Sequence, residues 1–282
     1  MLDVKQVCKS YPIEGGLFRG RVGAVEALRD VSFTLNKSET LAVVGGSGCG
    51  KSTLARIIAG LLVQDSGEVL WEGQPLADLT RQERAHRVQM VFQDPYASLN
   101  PKLSIGTQLN EVLALTRPAG TLSLKGEGQS NEPSPFRGKV VPTRSGGDRM
   151  RASIELLESV GLSADVLQHY PFQFSGGQRQ RIAIARALAG GPELLIADEP
   201  LSALDVTTQA QMLALFGQLK ASLGLTLMFI THDLAVAEEF ADRVVVLQEG
   251  RVVEEGPAAV VLRTPQHPYT MALLEAVPKV PC

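Results

Sequence analysis

The sequence predicts an α/β protein, and three observations carry that prediction. The apolar run Thr40–Val44 is followed by a glycine-rich loop and then by the helical pattern Leu54–Ala59. Further apolar runs, Val88–Phe92, Leu194–Asp198 and Leu225–Ile230, each end in polar residues and are separated by stretches of helical periodicity. Strands that alternate with helices in this way build layered α/β folds. The chain is organised around the glycine loop, which reads Gly45, Gly46, Ser47, Gly48, Cys49, Gly50, Lys51, Ser52, Thr53. A strand, a glycine loop and a helix start in that order make a phosphate cradle, because glycine lets successive N–H groups point inward and no Cβ blocks a phosphate; the plainer alternative is a glycine turn between strand and helix. Lys51 then reaches the β- and γ-phosphates and Ser52 holds Mg²⁺.

The bulk properties suit one large or two small domains. The chain has 282 residues, 44% of them hydrophobic and 20% charged, ordinary values for a protein with a buried core. No apolar run approaches the ~20 residues that span a bilayer, and Met1–Lys5 lacks the basic-then-apolar build of a signal peptide. Any membrane role is therefore expected through a partner. Cys8, Cys49 and Cys282 are scattered without metal-ligand or disulfide spacing, which suits a reducing cytoplasm. A net charge of −3 gives no electrostatic footprint for nucleic acid.

Taken in order, Leu2–Val7 reads as a first strand. Pro12–Gly23 reads as the loop of a hairpin that returns through Ala27–Leu35. Tyr11, just before that loop, is read either as an ordinary packed or surface tyrosine or as a ring that stacks on a base. The helix after the phosphate loop is expected from Lys51 to Leu62, followed by a strand at Glu68–Trp71 and a helix around Thr80–Arg87. The strand Val88–Phe92 delivers Gln93 to its carboxyl end, the edge where open α/β sheets bind ligands; a polar loop residue is the plainer reading. Asp94–Pro101 is expected to be irregular. After a helix at Ser104–Leu115, residues 117–149 are rich in glycine, serine, proline and charge, and read as a mobile insertion or, alternatively, as a lid. The next helix is expected at Arg151–Val160.

Ser175 is placed to cap a helix that runs through Leu188. Gly176 and Gly177 leave its first N–H groups open to an anion, although capping alone accounts for the serine. The strand Leu194–Asp198 ends in two adjacent carboxylates, and buried strands seldom do so unless something cationic meets them. Asp198, next to the phosphate loop, is then the natural water-mediated ligand for Mg²⁺, and Glu199, on the other side of the strand, could take a proton from water. The alternative is two solvated acids. Ser202–Asp205 turns into a helix at Gln209–Leu223. His232 follows the strand Leu225–Ile230 and has a structural reading as well as a catalytic one. Arg243–Gln248 and Arg251–Glu255 form a hairpin, and an apolar helix through Val277 follows Pro265–Thr270. The chain has no internal repeat.

Set side by side, these motifs resemble the ATP-binding subunits of ABC transporters, in that family's order across nearly the whole chain. Gly45–Ser52 matches the Walker A motif, Gln93 the Q-loop, Phe174–Gln178 the signature, Leu194–Asp198 the Walker B strand with Glu199 after it, Ser202–Asp205 the D-loop, and His232 the switch histidine. Tyr11 falls where that family places its adenine-stacking aromatic. Phe92–Pro101 and His267–Thr270 resemble the branch that imports di- and oligopeptides, nickel and metal chelates. Ser47–Ala55 with Val69–Gln74 is similar to the nickel-import ATP-binding proteins of that branch. Phe174 replaces the usual leucine of the signature, and Gln173 stands where the branch often has an acid.

The resemblance implies an α/β fold with a P-loop NTPase (RecA-like) core, an antiparallel β subdomain and an α-helical subdomain. Residues 1–93 and 181–256 form the catalytic core with the β subdomain, 94–180 the helical subdomain with the insertion, and 257–282 a C-terminal helical tail. It implies ATP and Mg²⁺, the cation held by Ser52, Gln93 and Asp198. Glu199 activates water and His232 keeps the γ-phosphate in register. Ser175, Gly176, Gly177, Gln178 and Asp205 serve the nucleotide of a second ATP-binding subunit, in this branch commonly a paralogue. It further implies two permease subunits, a solute-binding protein met indirectly, and a peripheral place on the cytoplasmic face of the membrane. Two rival outputs, a soluble ABC ATPase without transport and a scaffold that no longer hydrolyses, keep the cassette and change its use.

Overall fold

The computed structural model describes residues 1–15, 20–116 and 146–276. The chain opens with a long hairpin, β1 (Leu2–Gly15) and β2 (Gly20–Leu35), and continues into β3 (Thr40–Val44) and α1 (Lys51–Ile58). There follow β4 (Ser66–Trp71), β5 (Gln74–Pro75), α2 (Arg81–Arg87), β6 (Val88–Val91), the single turn α3 (Pro95–Ser98) and α4 (Ile105–Thr116). After the undescribed stretch come α5 (Gly146–Ser159), α6 (Gly176–Leu188), β7 (Leu194–Asp198), α7 (Val206–Leu223), β8 (Thr226–Ile230) and α8 (Leu234–Phe240). The chain closes with the hairpin β9 (Arg243–Gln248) and β10 (Arg251–Pro257), then α9 (Ala258–Arg263) and α10 (Pro268–Glu275).

Two sheets result, one antiparallel in the order β2-β1-β4-β5 and one of six strands in the order β10-β9-β3-β8-β7-β6. In the second, β9, β3, β8, β7 and β6 run parallel and only β10 is antiparallel. β3, β7 and β8 are buried on both faces, which is why they read as unbroken apolar runs. Alternate residues sort to opposite sides. Leu41, Val43, Ile196, Met228 and Leu247 join α1 and the antiparallel sheet in one core, while Leu195, Ala197, Leu227 and Phe229 pack with α4 to α7. On that second side Phe229 meets Phe216 and Phe240 at ring separations of 5.7 and 5.4 Å. Removal of such a buried ring costs about 3–5 kcal/mol. A third core, with Ala42 and Val44, lies under α8, α9 and α10. The start of β3 is pinned by ions, with buried Glu39 on Arg243 at 3.0 Å and Asp242 on Lys220 at 2.8 Å.

Several boundaries differ from the sequence reading. The first hairpin runs through the expected loop, pairing Tyr11 with Val25 and Pro12 with Ala24. β4 pairs with β1 only as far as Cys8, so Pro12 sits where β1 has a ladder on one side, a place that tolerates proline. α1 stops at Ile58 because the chain turns left-handed at Gly60 (φ 70°). Asp94 caps the turn α3 inside the stretch expected to be irregular. α7 starts earlier, at Val206, because Asp205 caps it. Residues 146–149 of the expected insertion form the start of α5, and the rest of it, 117–145, lies outside the described residues, as does the tail from 277.

Candidate functional site

The site is laid out along the carboxyl edge of β3, β6, β7 and β8, where the loops of an open parallel sheet gather. β3, fully buried, ends at Val44 and the phosphate loop begins. Gly50 is the last loop residue and sits at φ 109°, a conformation open to glycine; a Cβ there would also lie 2.3 Å from the Ala27 carbonyl. The antiparallel sheet therefore lies against the loop where α1 begins.

Lys51 is buried, 5% exposed, and its Nζ donates to the carbonyls of Gly45 and Gly46, each at 2.8 Å. These acceptors are neutral, so the ammonium keeps its charge for an anion, and the loop fits a phosphate. Cys49 Sγ lies 3.8 Å from the same nitrogen, and burial pushes this thiol up despite the nearby charge. Ser52 Oγ donates to Asp198 Oδ1 at 3.1 Å. Asp198 is 3% exposed, which removes the reading of two solvated acids for it; burial pushes its carboxyl up, opposed by the Ser52 hydrogen bond. A hydroxyl and a carboxylate together are hard oxygen donors of the kind Mg²⁺ takes, so the pair fits that cation.

Glu199 follows in a left-handed conformation, φ 45°, while its N–H still donates to the Ile230 carbonyl at 3.0 Å. Its Oε2 accepts from Gln93 Nε2 at 3.0 Å and lies 3.5 Å from His232 Nδ1. Three loops thus meet at one carboxylate. Gln93 was expected beside Ser52 and Asp198; here its amide is on Glu199, because the ends of β6 and β7 are adjacent. His232, 62% exposed in its side chain, is not a packed structural histidine. Tyr11 lies near the start of α1, its hydroxyl 3.5 Å from Thr53 Oγ1.

The remaining expected residues form a separate arrangement. Ser175 and Gln178 make a capping box at the start of α6, with Ser175 Oγ accepting from the Gln178 N–H at 3.3 Å and Gln178 Oε1 from the Ser175 N–H at 3.0 Å. A Cβ on Gly177 would lie 2.8 Å from Thr208 Cγ2, so this glycine is required by close packing on α7, whereas Gly176 faces open space. Asp205 caps α7, accepting from the Thr208 N–H at 3.0 Å and its hydroxyl at 2.7 Å. One side chain at the site was not among the expected site residues, although it lies in the His267–Thr270 motif: Tyr269 Oη accepts the Gly46 N–H at 2.9 Å. An aromatic in a short His-Pro-Tyr-Thr turn is the only local signal it gives.

Comparison with known proteins agrees with this geometry. The pattern of the ABC transporter family matches residues 28–202. A probable peptide ABC transporter ATP-binding protein of Sinorhizobium fredii is 46% identical over 99% of this chain and 72% of its own length. The dipeptide transport ATP-binding protein DppF of Haemophilus influenzae is 43% identical over 99% of this chain and 79% of its own length. Among solved structures, a dimeric post-hydrolysis state of the ATP-binding cassette MJ0796 bound to ADP and Pi superposes with a TM-score of 0.73 at 30% identity, covering 92% of this chain and 99% of that one. With the loop, the buried acid and the three-loop cluster in place, the chain belongs to the ABC transporter family, as one of its ATPase cassettes.

Proposed function

We propose that the chain is the ATP-hydrolysing subunit of an importer for di- or oligopeptides. The observation that carries the reading is the meeting of Gln93, Glu199 and His232 on one carboxylate, next to a buried Lys51 and the Ser52–Asp198 pair. In it Lys51 and the loop amides hold the phosphates and Tyr11 holds the adenine. Ser52 and Asp198 would hold Mg²⁺, which would neutralise charge on the phosphate oxygens. Glu199 orients the attacking water and accepts its proton, and His232 steadies the terminal phosphate. Ser175, Gly176, Gly177, Gln178 and Asp205 complete the nucleotide site of a second ATP-binding subunit.

Peptides are favoured over nickel because the relatives are named for peptide, dipeptide and oligopeptide transport. No helix among the described residues is long and apolar enough to cross a membrane. The proposal accordingly seats the chain against two permease subunits at the cytoplasmic face, with a solute-binding protein on the far side. The test is phosphate release by the complex reconstituted in vesicles, with peptide-loaded and then nickel-loaded solute-binding protein. Stimulation by peptide supports the reading. Stimulation by nickel alone would move the substrate to the metal, and hydrolysis indifferent to the permease would favour a soluble role.

A further inference from the structure

Tyr269 belongs to none of the groups that the proposed reaction uses, yet it touches the loop near its start. The Gly46 N–H that it accepts shares a peptide group with the Gly45 carbonyl, which accepts from Lys51 Nζ at 2.8 Å. Among the described residues no peptide bond is cis, and in a trans peptide the N–H and the C=O point to opposite sides. The carbonyl faces the ammonium inside the loop, so the N–H faces away from it. Tyr269 therefore braces the loop from behind and does not compete with a phosphate for that donor. The fit is close, since a Cβ on Gly46 would lie 3.1 Å from the tyrosine oxygen.

The brace is itself anchored. Glu254 on β10 accepts from the backbone N–H of Gln266 at 2.8 Å and of His267 at 3.2 Å. His267 Nδ1 then accepts the Tyr269 N–H at 3.2 Å, and the ring packs on the core of Ala42 and Val44. One short segment is thus tied to β10 at one end and to the phosphate loop at the other.

We propose that Tyr269 is a positioning residue for ATP binding: through the Gly45–Gly46 peptide it holds the loop in the shape that receives phosphates, and Glu254 holds Tyr269. The inference rests on the reading of Gly45–Ser52 as the ATP cradle. Without the hydroxyl the peptide is free to turn, and the loop is ordered afresh at each binding event. The effect falls on binding and not on the chemistry at Glu199.

The experiment compares the full chain with Tyr269→Phe, which removes one oxygen and keeps the ring, using a fluorescent ATP analogue and steady-state phosphate release. Loss of one hydrogen bond from a semi-enclosed donor predicts a Kd and KM for ATP raised roughly three- to tenfold, with kcat within about twofold of wild type. Glu254→Ala, which releases the segment without touching the ring, is expected to shift KM in the same direction. The double variant is expected to be no worse than the weaker single one, as for residues acting in one chain of contacts. Wild-type binding with an unchanged or tightened Kd in Tyr269→Phe would overturn the brace alone, as would a fall in kcat at unchanged KM. A wild-type chain that binds no ATP would overturn the cradle reading and the brace with it.

Discussion

Glutamine at position 199 isolates the chemistry from the fold. The substitution keeps the shape and length of the side chain, so the left-handed backbone at φ 45° is no costlier and the N–H to Ile230 is untouched. The Gln93 amide, 3.0 Å from Glu199 Oε2, can still donate to an amide oxygen there. What disappears is the negative charge and the capacity to take a proton. Loss of a positioned general base costs about 10²- to 10⁴-fold in rate, or about 2.7–5.4 kcal/mol in the barrier at 1.36 kcal/mol per decade. Glu199→Gln is therefore expected to bind the fluorescent ATP analogue with wild-type affinity and to lose turnover by at least about a hundredfold in phosphate release at saturating ATP. Hydrolysis within a few-fold of wild type would remove Glu199 from the role of base.

Three further outcomes are expected. Lys51→Ala leaves the Gly45 and Gly46 carbonyls without their buried donor and the phosphates without a cation, so binding of the ATP analogue should be lost; unchanged affinity would refute the cradle. Because burial raises its thiol, Cys49 should be alkylated slowly near neutrality and faster as pH climbs past the ordinary thiol value of about 8.5. Mass spectrometry of the Cys49 peptide should show that ATP protects it, and normal ATP binding by the alkylated protein would place the loop elsewhere. The Lys9 ammonium, at 2.6 Å, with the Ser10 hydroxyl and N–H, holds Asp65 down to about 2. A carboxylate lowered on folding contributes stability above its unfolded value of about 4 and loses it as pH falls through the native value. Asp65→Asn should then melt below wild type near neutrality, with the gap closing between about pH 4 and pH 2; a gap independent of pH would count against this pairing.

What the sequence disclosed was local. The glycine loop, the doubly buried strands and the paired acids of β7 each announce themselves within ten residues, through period and composition. The length of the first hairpin did not, because Pro12 and the glycines after it carry turn signals that the ladder with β2 overrides. Gly177 was legible as an exposed helix start but not as a packing necessity, since Thr208 lies on another helix. Tyr269 was beyond reach for the same reason: it is 223 positions from Gly46, and no periodicity spans that separation. Capping was half legible. Ser175 is visible as a cap from its own neighbourhood, whereas the early start of α7 depends on Asp205, which the motif reading had assigned to another task.

The rung from the Glu199 N–H to the Ile230 carbonyl has a mechanical corollary. It extends the ladder one step beyond Asp198, so the backbone of both consecutive acids is tied to β8. Gln93 reaches Glu199 from the turn after β6 through one amide hydrogen bond.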